Sequence, residues 1–210
     1  MTANLDMFAY LAAFVTVVLA LAVADMVQSM HRLLRAEARV RWSVIAMISA
    51  LAVFLAILDE FFALWRLAGV ERFAFHELLV LICPPVLLSL AAMTVLPDEV
   101  SGEGLDLGEH YMHIRRRLFV LLALWTLAVF VRFAGLFEAF SGTAGTTFDA
   151  LSAFPWQYVL LLALYALLYW SSSRRIQLIG LIAILLLVIQ AMSSRTIEAP
   201  RAQMPVAAYS

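Results

Sequence analysis

The sequence predicts an all-α integral membrane protein with six transmembrane helices and both termini outside. Composition, run structure and arginine placement each point that way. Hydrophobic residues make up 65% of the 210 and charged residues only 14%, whereas soluble domains hold roughly 45–50% apolar and about 25% charged residues. Mean hydropathy is +0.96, and the apolar residues gather into six runs. Most arginines fall between alternate runs.

The runs lie at Met7 to Val27, Ser43 to Trp65, Phe73 to Leu96, Leu118 to Phe137, Trp156 to Trp170 and Ile176 to Met192. A helix rising about 1.5 Å per residue needs roughly 20 residues to cross ~30 Å of hydrocarbon. The first four runs meet this directly, and the last two need their flanks. For the fifth, Phe154 and Pro155 on one side and the first serines after Trp170 on the other extend the span to 153–172. Proline is tolerated in a first helical turn, where the backbone N–H has no intrahelical acceptor. In the first run, Ala22-Val23-Ala24 resembles a signal-peptide cleavage site. No basic residue precedes it, and the arginines from Arg32 oppose translocation, so the span is expected to be retained.

Arginines set the orientation. Nine lie in the first, third and fifth connections: Arg32, Arg35, Arg39 and Arg41, then Arg115, Arg116 and Arg117, then Arg174 and Arg175. Four lie on the opposite side, at Arg66, Arg72, Arg195 and Arg201. The positive-inside rule then places the arginine-rich connections in the cytoplasm. Residues 1–192 read as one six-span domain, and 193–210, with Pro200 and Pro205, as a disordered periplasmic tail. The stretch from Pro97 to Arg117 reads as an acidic, glycine-rich cytoplasmic loop ending in a helical turn. The connection from Ser141 to Pro155 reads as small and polar, lying on the outer surface.

Several function classes drop out. A net charge of −1 offers no basic surface for nucleic acid, and no zinc-type spacing or phosphate loop occurs. Cys83 is the single cysteine, so there is no disulfide framework. No cofactor motif and no converging nucleophile or acid/base set assembles, so no catalytic residue is assigned.

Besides Asp25 at the end of the first run, five ionisable residues sit inside the apolar runs: Asp59, Glu60, His76, Glu77 and Arg132. Counted from the arginine-rich ends, Asp59 is about 24 Å along its helix and Arg132 about 21 Å along its own, at 1.5 Å per residue. His76 and Glu77, one turn into the third run from the other side, match that level. Charges in hydrocarbon are paired or functional by default. The expected arrangement is a clasp of three helices, Arg132 bonding Asp59 or Glu60. The alternative is a proton or cation pathway through the same cluster. A metal site from these residues is disfavoured, because one histidine with mixed carboxylates is unspecific and Arg132 opposes a cation.

Other features are weaker. Cys83-Pro84-Pro85 releases the carbonyls of Val80 and Leu81 from helix bonding, which predicts a kink. Asp25 and Arg32, seven residues apart on one face with Ser29 between them, read as a helix-end ion pair, with Thr94 and Gln177 at comparable depth. Glu109, His110 and His113 have helical spacing for a metal but read as a solvated turn. Arg115 to Arg117 would favour anionic headgroups.

The segment from Ala22 to Trp42 (AVADMVQSMHRLLRAEARVRW), the LPDE at Leu96 to Glu99 and EHYMHIRRRLFVLLAL from Glu109 resemble a group of uncharacterised bacterial inner-membrane proteins. The resemblance covers about the first 130 residues. It implies a multi-pass protein of the bacterial inner membrane and carries no activity. The expected function is a structural or accessory membrane subunit with a membrane-protein partner or a second copy of itself. The alternatives are a small proton or ion channel or transporter, and an intramembrane enzyme acting on a lipid or quinone.

Overall fold

The computed structural model describes the backbone of residues 2–63, 75–98, 104–141 and 156–193, and the side chains of 9–63, 78–98, 104–132 and 156–193. Within them are six α-helices: α1 (Thr2–Arg35), α2 (Val44–Ala63), α3 (Phe75–Val95), α4 (Leu107–Ser141), α5 (Trp156–Trp170) and α6 (Arg174–Ser193). Four are long and apolar enough to cross a membrane: α1 over Ala9–Arg35, α2, α3 over Leu78–Val95, and α6. In α5, 15 residues cover only roughly 22 Å. Within its described side chains, α4 has fourteen uncharged residues between Arg117 and Arg132.

Packing closes α2, α3, α4, α5 and α6 into a ring, each helix against the next, with α6 returning to α2. Contacts between α2 and α4 cross the ring, and α1 lies outside against α3. The faces that meet follow helical periodicity. On α1 they are Val15, Leu19, Ala22, Met26, Ser29 and Leu33. On α2 the buried stripe Ala46, Ser49, Ala50, Val53, Ala56 and Ile57 is built of small and β-branched residues and ends in Glu60. Such residues allow backbones to approach closely. The outward faces stay apolar, as with Phe14, Val17 and Leu21 on α1 and Ile179, Ile182 and Leu186 on α6. Apolar surface of that extent requires lipid or a partner to cover it.

Several boundaries differ from the sequence expectation. Helix α1 continues past Val27 to Arg35, carrying His31, Arg32 and Arg35 in its final turns, where cations oppose the negative end of the helix dipole. Helix α4 starts at Leu107, eleven residues before Leu118. Asp106 sets that start, its Oδ1 accepting from the N–H of Gly108 at 2.8 Å and of Glu109 at 3.1 Å, an N-cap. The serines after Trp170 do not extend α5, because Ser171 to Ser173 leave the helix. Helix α3 runs unbroken through Pro84 and Pro85, with Ser89 Oγ donating to the Pro85 carbonyl at 2.9 Å. Both prolines are buried, while Cys83 is exposed.

A short parallel bridge joins the first and third connections. Strand β1 (Val40–Arg41) pairs with β2 (Leu105–Asp106), Val40 opposite Leu105 and Arg41 opposite Asp106. Gly104 leads into it at φ +100°, and a Cβ there would stand 3.0 Å from the Arg39 carbonyl oxygen. Only glycine adopts that conformation without strain. The loop from Pro97 is therefore anchored to the first connection, although residues 99–103 lie outside the description, as do the connections at 64–74 and 142–155 and the tail from 194.

Candidate functional site

Two polar clusters lie inside the helix ring, at opposite ends. At the end away from the arginine-rich connections, Glu60 on α2 meets Arg132 on α4. Arg132 Nη1 donates to Glu60 Oε1 at 2.5 Å and Nη2 to Oε2 at 3.2 Å. The Glu60 side chain is 2% exposed and that of Arg132 10%. Two parallel bonds between a planar fork and a carboxylate make the strongest form of ion pair. Of the two adjacent acids, the inward-facing Glu60 takes the arginine. Asp59, about 100° further round α2, lines a cavity of ≈ 30 Å³ with Trp125, Val129, Gln157, Tyr158, Leu161, Leu187, Val188 and Ala191. His76 and Glu77 belong to the first turn of α3, and their side chains lie outside the described residues.

At the arginine-rich end, α4 supplies Tyr111 and Arg115, and the α5–α6 corner supplies Gln177. Tyr111 donates its hydroxyl to Gln177 Oε1 at 2.5 Å. Gln177 Nε2 donates to the carbonyls of Leu168 at 2.6 Å and Ser171 at 2.7 Å. Arg115 Nη1 donates to the carbonyls of Leu168 and Tyr169, both at 3.1 Å, and to that of Ser171, while Nη2 donates to Ser172 Oγ at 3.1 Å. The last carbonyls of a helix lack intrahelical partners, and these two side chains take up those of α5. Gly180 permits the close approach of α5 and α6, since a Cβ there would stand 2.5 Å from Leu168 Cδ2.

Arg115 is buried and so is unavailable to headgroups, whereas Arg116 and Arg117 are exposed. Arg116 sits over the Tyr169 ring at 5.7 Å, a cation–π contact. Burial pushes the Tyr111 hydroxyl well above the usual tyrosine range, the nearby Arg115 charge opposing in part. Tyr111 therefore stays protonated and acts as a donor. At the preceding residue, partial burial, reinforced by His113, holds the His110 imidazole below its ordinary value, against a hydrogen bond to the Thr94 backbone.

The expected Asp25–Arg32 pair does not form. Two helical turns separate them by roughly 10 Å along the helix axis. Arg32 Nη1 donates instead to the Asp98 carbonyl at 2.5 Å and stands 3.9 Å from its carboxylate, which also accepts from Ser29 Oγ at 3.2 Å. Asp98, in the LPDE segment, thus ties the end of α3 to the end of α1. Among the described residues no group of three His, Cys, Asp or Glu is placed to hold a metal ion, so Glu109, His110 and His113 do not form one.

The sequence marks the cluster at the arginine-rich end only in part. Gln177 shares a helix face with Gly180, Leu181 and Ile184, and Arg115 shares one with Leu118, Phe119 and Leu122. A polar residue in phase with the apolar stripe was the available signal.

The fold and site define an all-helical protein with, among the described residues, four helices long and apolar enough to cross a membrane and two polar clusters in its interior. Comparison with protein-family models, curated proteins and solved structures gives no match.

Proposed function

We propose that this chain is a structural or accessory subunit of the bacterial inner membrane, crossing it six times with both termini outside. The observation that carries the reading is the Glu60–Arg132 pair. Acid and base satisfy one another in a bidentate, nearly buried contact across the ring, which favours a clasp between α2 and α4 over a relay. Helix α1 lies outside the ring with Phe14, Val17 and Leu21 exposed, a face suited to a partner helix or a second copy. Arg116 and Arg117, with Arg174 and Arg175, would face anionic headgroups.

Photo-crosslinking from Val17 and Leu21 in native membranes tests the subunit reading. A discrete protein adduct is expected, and lipid adducts alone would reject it. Reporter fusions after Arg41 and Arg117 should report the cytoplasm, and fusions at the termini the periplasm.

A second reading, a small proton or ion pathway, draws on one observation, the cavity beside Asp59. Proteoliposomes carrying the protein under a pH jump should leak no faster than empty ones if the subunit reading holds. Flux that disappears in Asp59→Asn, with the fold retained, would favour the pathway.

A further inference from the structure

The ≈ 30 Å³ cavity beside Asp59 lies among α2, α4, α5 and α6, and one of its walls is chemically incomplete. Trp125 is only 6% exposed, yet its indole Nε1 has no hydrogen-bond partner among the described residues. An indole N–H can only donate, and buried donors are almost always satisfied by protein or ordered water. We infer that the cavity binds a water molecule that accepts a hydrogen bond from Trp125 Nε1–H and donates to the Asp59 carboxylate.

Size and chemistry select the ligand. A water needs about 10–15 Å³ of such volume, so the cavity holds one or two waters and no organic molecule. The occupant must accept from the tryptophan and donate to the acid. Water does both, whereas a metal cation cannot accept from an N–H and a deprotonated anion cannot donate to a carboxylate. A groove of ≈ 470 Å³ between α5 and α6, lined in part by Trp156, Gln157 and Leu187, adjoins the cavity. Gln157 and Leu187 also line the cavity. This inference stands whether the protein is a subunit or a pathway.

The test is nuclear magnetic resonance of the full chain, labelled with ¹⁵N-tryptophan, in detergent micelles. Five indole signals are expected from the five tryptophans, and the one absent in Trp125→Phe is assigned. That signal should show a direct cross-peak to a long-lived water, which persists in Asp59→Asn and disappears when Leu187→Phe fills the cavity. A wild-type Trp125 indole without a water cross-peak overturns the inference, as does a cross-peak that survives Leu187→Phe in a folded protein. The wild-type spectrum decides the question by itself if the filling variant does not fold.

Discussion

Arg132 and Arg115 are both buried, and they are held in opposite ways. Arg132 is neutralised by a carboxylate, each member of the pair closing the other. Arg115 meets four oxygens that carry no formal charge, the carbonyls of Leu168 and Tyr169 at the end of α5 and the Ser171 carbonyl and Ser172 hydroxyl in the turn after it. The first arrangement is a contact between two helices far apart in sequence, and it fails as a unit if either member is lost. The second is a cap, in which a cation offsets the negative end of a helix dipole. Because the cap lies near the α5–α6 turn, water can replace part of it.

The largest expected effect tests the pair. Arg132→Met leaves Glu60 buried without a partner and should lower stability in detergent by about 3–5 kcal/mol. Combining it with Glu60→Met should recover most of that loss, since apolar replacement of a buried pair is often neutral. Thermal unfolding of the four members of this cycle measures the coupling, and additive losses would show that the two side chains act separately.

A smaller effect is expected at the cap. Arg115→Met should cost about 1–3 kcal/mol by stripping donors from the α5 carbonyls. Arg115→Lys should recover only part, because an ammonium cannot reproduce the planar fork. If lysine restores full stability, charge rather than the fork is what the cap requires. Tyr111→Phe removes the single bond to Gln177 Oε1 and should cost about 1 kcal/mol, measurable in the same unfolding assay.

The smallest effect is a pH dependence at the arginine-rich end. His110 is held below its ordinary value of 6.5, so on acidification the unfolded chain takes up its proton first. Its contribution is constant above that value and is lost as pH falls towards the lower folded value. His110→Leu should flatten this slope in a stability-versus-pH series. An unchanged slope would assign the dependence to other groups.

Composition and apolar run length alone determined that the chain is helical, and each run overlaps a described helix, although α1 extends five residues before Met7 and eight beyond Val27. Those properties are local. Apolar run length and 3.6-residue spacing depend on residues adjacent in the chain, so α2 follows closely from the run at Ser43 to Trp65. The sequence also marked Asp59, Glu60 and Arg132 as anomalous in hydrocarbon. Choosing Glu60 over Asp59 required the rotation of α2 in the ring, which depends on the packing of Ala46, Ala50 and Val53 against other helices. The β1–β2 bridge and the capture of Arg32 by Asp98 join segments separated by more than sixty residues. Only the tertiary structure decided these. Ion pairs and caps form between groups brought within about 3–4 Å, and no pattern along a single chain fixes which distant groups will meet at that range.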